Sequence, residues 1–278
     1  MGWHRSFLIG SVVLLSFILS GCPAVSGPDG PETTVQQLGM VTIGASFNEA
    51  GTYEVYGAGG LFLPVERTIA SLEQVTDRCL VNDSPPVLPE EAFKTLLDAG
   101  EVIDVRTNGE PFAALVRINF IGGGYGYTAG EFGMYPAIPG QGLVATIPGA
   151  AFPSFKAEFP APPPQFTFAG GQQTTVPLSL DGSFTWEPYV QAGVVSFLDF
   201  QVYNPDFESD SYVLANCIAV DDGEFSLPPE ARDAIRAIDP AFAGEVNLPE
   251  RSVYRVERQG NAALALGIGD DLSEALLR

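Results

Sequence analysis

The sequence predicts an all-β fold, an antiparallel β-sandwich interrupted by two short helices. Apolar and polar residues alternate over several segments of strand length, which turns one apolar face inward. Between two such segments, Asn108-Gly109 is typical of a tight hairpin turn, because both residues accept a positive φ. Helical spacing of apolar residues occurs in only two short stretches, 90–99 and 230–238, each entered through Leu-Pro.

Taken in order, the strand pattern begins at Met40. Strands are predicted by the alternating segments at 41–47, 103–105, 112–120, 183–187 and 198–202. The third of these places Phe112, Ala114, Val116, Ile118 and Phe120 on one apolar face. Residues 212–220 are apolar on both faces, which is typical of a central strand.

A weak internal repeat relates the two parts of this β-rich region. Cys79 and the Leu-Pro at 88 are followed 138 and 139 residues later by Cys217 and the Leu-Pro at 227. A proline-rich connector, 160–164, lies between halves 39–159 and 165–278, so a duplicated β unit is one interpretation. A chance match is the other interpretation, because Leu-Pro-x-Glu-Ala begins many helices.

The N-terminus reads as an export signal. Residues 1–21 combine a positive start at Arg5, an apolar run and small residues before Cys22. The run, 7–20, is shorter than the roughly 20 residues that a membrane-spanning helix needs. Proline and glycine make 22–38 a flexible tether, which leaves 39–278 as the β-rich domain.

The sequence Leu19-Ser20-Gly21-Cys22 resembles the lipobox of bacterial lipoproteins. The resemblance implies cleavage before Cys22 and acyl chains, palmitate among them, on its sulfur, so that the lipid is the contact with the membrane. An ordinary secretory signal or an uncleaved anchor is the alternative. Pro23 follows where some bacterial lipoproteins carry Asp, and this resemblance to sorting signals favours the outer membrane over the inner one.

Composition excludes several functions. The formal net charge of −21, with Lys94 and Lys156 as the only lysines, repels phosphate backbones and argues against nucleic acid as a partner. The sole histidine, His4, lies in the predicted signal, so the mature chain lacks histidine-dependent catalysis and metal ligation. Paired carboxylates, as in glycosidases, are the chemistry that remains, and no particular pair of acids can be nominated as catalytic.

Cys79 and Cys217 remain once Cys22 is assigned to lipid. An oxidising, exported setting favours a disulfide between them. Two separate buried thiols are the alternative.

Tyrosines mark a candidate binding loop. Tyr125, Tyr127 and Tyr135 lie in and after the glycine-rich stretch 122–130, where they could offer an aromatic platform to a sugar or a peptide. The alternative is a loop whose rings cover the edge of the core. No helix is predicted after the glycines, which excludes a dinucleotide site.

Asp206, Glu208 and Asp210 are candidate calcium ligands, since alternating acids in a loop supply the oxygen atoms that calcium prefers. A solvated acidic loop is the alternative at this net charge. No other cofactor is expected.

A longer resemblance covers about half of the chain. The segments 97–100, 148–155, 184–186 and 217–228 are similar to a β-rich module of uncharacterised exported bacterial proteins. No activity is attached to that module, so the resemblance implies an all-β fold and export alone.

Together these observations lead us to expect a lipid-anchored envelope protein without enzymatic activity. Its β-rich domain would present a binding or structural surface to an envelope protein or glycan. A carboxylate-dependent hydrolase of envelope or extracellular polysaccharide is one alternative. A calcium-dependent adhesion module is the other.

Overall fold

A computed structural model describes residues 33–47, 53–81, 93–120, 123–129, 142–169, 171, 173–204, 212–269 and 276. Within these ranges the all-β, sandwich-like class is confirmed, with mostly antiparallel strands and two short helices. The strands are β1 Thr34–Phe47, β2 Tyr53–Thr68, β3 Arg78–Val81, β4 Val102–Thr107, β5 Glu110–Asn119, β6 Tyr125–Ala129, β7 Leu143–Ile147, β8 Phe155–Glu158, β9 Thr175–Ser179, β10 Ser183–Thr185, β11 Val195–Asn204, β12 Tyr212–Val220, β13 Glu224–Ser226, β14 Ala243–Asn247, β15 Glu250–Gln259 and β16 Ala262–Ile268. The helices are α1 Ile69–Leu72 and α2 Pro229–Ile238.

The chain forms two compact units. The first comprises Met1–Gln74, Pro86–Pro162 and Tyr254–Arg278, and the second Val75–Pro85 and Pro163–Val253. One division falls between Pro162 and Pro163, within the proline-rich connector. Two segments, 75–85 and 254–278, nevertheless belong to the unit formed by the opposite half of the chain.

In the first unit the strand order is β15-β16-β1-β2-β6-β5-β4-β7-β8. Strand β1 lies parallel to β16 and antiparallel to β2. It begins at Thr34, so the prediction of a flexible tether is wrong for residues 34–38, because Val35 and Leu38 are buried and paired with β2. Every residue of β16 is buried, whereas β4 and β5 bury one face only. The sheet therefore has a fully buried centre and an outer part with a solvent-facing side.

The buried face of β5 is not the one that simple alternation predicts. Ala113 and Leu115 are buried, and Val116 is 48% exposed. The cause is a bulge in the β4–β5 pairing: Val105 faces Ala113 and Arg106 faces Pro111, so Phe112 is the extra residue between these two register pairs. The extra residue reverses the inward and outward positions that follow it.

Of the predicted helices, 230–238 corresponds to α2, whose Ala231 and Ile235 are buried. The stretch 90–99 differs: helix is present only at 93–94 of its described part, and the backbone beyond is irregular. There the N–H of Leu97 donates to the carbonyl of Phe62 at 2.6 Å. Because this backbone N–H donates to the sheet and not to the preceding helical turn, the helix does not continue.

In the second unit β3, β12 and β11 are consecutive neighbours, β14 and β15 also pair with β11, and β9 pairs with β14. The β10–β13 pair forms a separate two-stranded sheet. A cluster of aromatic side chains fills the core, among them Phe166, Phe168, Phe184, Trp186, Phe200 and Phe225. Trp186 is 5% exposed, as its strand alternation predicts.

Candidate functional site

Tyr127 does not belong to an open platform. It lies in β6 with 3% of its surface exposed, and its ring meets that of Phe62 edge-on at 5.3 Å between centroids. Its hydroxyl accepts the N–H of Ala99 at 2.7 Å and donates to the carbonyl of Gly100 at 2.7 Å. Tyr127 thus fastens the segment 93–100 to the sheet.

The environment of Tyr127 favours the neutral phenol. Burial raises the pKa of Tyr127 to about 12, and the negative charge of Asp98 adds to the rise, while the N–H of Ala99 opposes it. The hydroxyl therefore keeps its proton, and both of its backbone hydrogen bonds, throughout the physiological range.

An ion pair lies beside this hydroxyl. Arg117 Nη1 donates to Asp98 Oδ2 at 2.5 Å, and Asp98 Oδ1 accepts the N–H of Gly100 at 2.8 Å. Desolvation raises the pKa of Asp98, but the hydrogen bonds from Gly100, Arg117 and Tyr127 outweigh it and hold the pKa below its usual value. The hydrogen bond to Asp98 in turn raises the pKa of Arg117.

Tyr125 is the candidate tyrosine that remains partly accessible. Its ring is half-buried, and the guanidinium carbon of Arg117 lies 5.1 Å from the ring centroid. In the β5–β6 register Arg117 faces Tyr127, and the exposed Asn119 faces Tyr125, so all four share one face. We call Asp98, Arg117, Asn119, Tyr125 and Tyr127 the Arg117 cluster. The third candidate, Tyr135, lies outside the described residues.

A glycine of the glycine-rich stretch allows two backbone segments to pack closely beside this cluster. Gly124 has a φ of +77°, and a Cβ there would lie 1.5 Å from the carbonyl oxygen of Phe93. Only glycine allows the segment at 93 to approach the start of β6 so closely. The glycines of the sequence thus signal a close backbone approach, while Asp98 and Arg117 carry no local signal that joins them.

A second polar cluster lies in the other unit, around Asp221. Its carboxylate accepts hydrogen bonds from Trp186 Nε1 at 2.7 Å and Ser196 Oγ at 2.6 Å. Arg251 Nε lies 2.8 Å from Oδ2, with 5% of the Arg251 side chain and 1% of the Asp221 side chain exposed. The guanidinium of Arg251 also lies 5.5 Å from the ring centroid of Phe166. These four residues, Trp186, Ser196, Asp221 and Arg251, are the Asp221 cluster.

Sequence reasoning missed the Asp221 cluster. Asp221 stands in what reads as an ordinary acidic turn, 221–224, and Arg251 in an apparent ladder of surface charges. Because its carboxylate is surrounded by donors and an arginine, Asp221 is suited to holding β-strands together.

The cysteines come together in the second unit. Cys79 of β3 and Cys217 of β12 are register partners and form a disulfide, with 4.1 Å between their Cα atoms. Beside it, the N–H of Val220 donates to Asp77 Oδ1 at 2.8 Å. Both contacts fasten the short segment 77–81 to β12.

Other candidate residues fall outside the described ranges. These are the calcium candidates Asp206, Glu208 and Asp210 and the lipidation candidate Cys22. Within those ranges no three metal-ligating side chains converge. Nor is any helix described there long and apolar enough to cross a membrane.

Comparison with known proteins found no significant match to this chain among family models, curated proteins or solved structures.

Proposed function

We propose that the protein is a lipid-anchored bacterial envelope protein whose β-rich domain is a non-enzymatic binding or structural module. Cys22 would carry the acyl chains, palmitate among them, and the outer membrane would be the site of anchoring. The observation that carries the proposal is the disulfide between Cys79 and Cys217, because disulfides persist in oxidising, exported compartments. Together with the lipobox-like residues 19–22, it favours export and anchoring.

Support for a binding or structural role comes from how the two clusters use their carboxylates. Asp98 is paired with Arg117, and Asp221 with Arg251. Glycosidases need one carboxyl held protonated and a second free to attack or to activate water. Ion-paired carboxylates that fasten connecting segments to β-strands suit a rigid scaffold that presents a surface.

The test compares the full chain with its Cys22→Ala variant in a bacterial host fed an alkyne-tagged palmitate analogue. The natural chain should be labelled, shortened by signal removal and recovered with outer-membrane vesicles. The variant should lack label and accumulate as precursor, since the lipid-bearing thiol is gone. Cys79→Ala serves as a matched control that removes a different thiol and should keep the label. An unlabelled natural chain, or a labelled Cys22→Ala variant, contradicts the proposal.

A further inference from the structure

The exposed part of the Arg117 cluster has a fixed geometry. The Arg117 side chain is 31% exposed and that of Asp98 is 24% exposed. The carboxylate of Asp98 fixes the guanidinium on one side, and the ring of Tyr125 lies beneath it. A guanidinium with one Nη engaged still has further N–H donors to offer. Asn119, exposed on the same face, adds an amide donor and acceptor.

Charge selects the kind of ligand. Arg117 and Asp98 form a neutral pair on a chain whose formal net charge is −21. An anionic ligand would be repelled by Asp98 and by the negative field of the whole chain, and a cationic ligand would be repelled by Arg117. An uncharged ligand whose groups both donate and accept hydrogen bonds matches the carboxylate, guanidinium and amide together.

Strand pairing argues against an extended peptide. Strand β5 pairs with β4 and β6, and β6 pairs with β5 and β2. Within the described residues each strand thus has a neighbour on both sides over part of its length, so a peptide finds no full edge along which to add as another strand. The ligand must be recognised by side chains, with an aromatic ring among them.

We infer that the Arg117 cluster is a binding site for an uncharged saccharide. The hydroxyl groups of the sugar form hydrogen bonds with Arg117, Asp98 and Asn119. Its apolar C–H surface packs against Tyr125. The inference rests on the proposed function and deepens it, because it names the ligand class of an envelope-facing module.

The experiment measures binding by calorimetry with the mature full-length protein in a neutral detergent. The neutral probes are oligomers of glucose, xylose and N-acetylglucosamine. Polygalacturonate and a tryptic casein digest are the acidic and peptide probes. Tyr125→Ala removes the ring, and Arg117→Lys keeps the charge that pairs with Asp98 but loses the planar fork. Tyr189→Ala is the matched control, because Tyr189 is also half-buried but lies in the other unit.

We expect at least one neutral series to bind and both variants to weaken it by about tenfold or more, because hydrogen bonds to charged groups are among the stronger ones. Tyr189→Ala should bind as the natural chain does. The inference is overturned if only the acidic or peptide probe binds, if no neutral series binds, or if neither variant weakens binding. Such failure leaves acylation at Cys22 untouched, whereas an unacylated, cytosolic chain overturns the proposed function itself.

Discussion

Asp221 is a buried carboxylate with two neutral donors and one arginine around it. A buried charge of this kind is tolerated only while its partners remain, because desolvation costs several kcal/mol per ion. The arrangement also explains why a lone arginine, Arg251, reaches the aromatic core of the second unit. Its charge is balanced there, and its flat guanidinium lies over Phe166.

Asp221→Asn should lower the free energy of unfolding by about 3–5 kcal/mol, because Arg251 is left buried without its counter-charge. Asp222→Asn is the matched control: Asp222 is the exposed next residue, and its change should cost less than about 0.5 kcal/mol. Urea unfolding followed by Trp186 fluorescence measures both, since Trp186 is the only tryptophan beyond residue 3. Equal losses in the two variants would show that the ion pair contributes nothing.

Tyr127→Phe tests the fastening of the segment 93–100. At pH 7 the variant should be less stable by about 1–3 kcal/mol, because a buried N–H and a carbonyl lose their partner. An unfolded tyrosine titrates near pH 10, and the folded pKa of Tyr127 is about 12. The folded state therefore holds this proton more tightly, and the phenol's stabilisation is complete below pH 10 and lost as the pH rises to 12.

Urea unfolding by circular dichroism at pH 7, 10 and 12 measures this dependence. The natural chain should lose about 2 kcal/mol more than Tyr127→Phe over the alkaline range, because the folded state binds this proton more tightly than the unfolded state does. Parallel curves for the two proteins would show that Tyr127 does not titrate with folding.

At the scale of elements, the β4–β5 hairpin shows what the sequence can and cannot predict. Asn108 and Gly109 adopt φ values of 51° and 83°, as the Asn-Gly turn requires. The bulge at Phe112 could not be predicted, because residues 112–116 of β5 are all apolar and favour neither face there. Which set is buried depends on the strands and loops packed against it.

The stretch 90–99 shows the same limit for a helix. Its apolar spacing and the glycine that ends it are typical of a helix, and α2 was predicted from similar signals. The difference lies in tertiary contacts. The N–H of Ala99 donates a hydrogen bond to the hydroxyl of Tyr127, and the N–H of Leu97 donates one to the carbonyl of Phe62. Sheet hydrogen bonds replace the helical ones, and a local pattern cannot reveal them.

The disulfide stabilises β3 at the edge of its sheet. Replacing both cysteines, Cys79→Ala with Cys217→Ala, should lower the free energy of unfolding by about 2–4 kcal/mol, because the reduced chain regains the entropy of a long open loop. A reductant should lower the melting temperature of the natural chain and leave that of the double variant unchanged. If the reductant shifted both equally, or neither, the bridge would not be a stabilising link.

At the scale of the whole molecule, the class of fold was predictable and the pairing of distant strands was not. Alternation and turn residues predict strands, and the strands are there. Which strands pair depends on residues far apart, as in β1 and β16, where Gln37 faces Ala262. The grouping of β3 with β12 and of β16 with β1 follows from such pairings, which no local pattern contains.

The candidate site, too, could be predicted from the sequence only in part. Tyr125 and Tyr127 stand out in the sequence as aromatic residues among glycines. Their roles differ because one hydroxyl finds buried backbone partners and the other ring stays half-buried. Asp98 and Arg117 are 19 residues apart, and only the folding of segment 93–100 over the sheet joins them.

The most direct test of a lipid-anchored envelope module is the mass of the N-terminal peptide of the native protein, extracted from the bacterium that makes it. The proposal predicts a peptide beginning at Cys22 whose mass includes acyl chains. A peptide that begins elsewhere, or an unmodified Cys22, would contradict the account, and with it the assignment to the envelope.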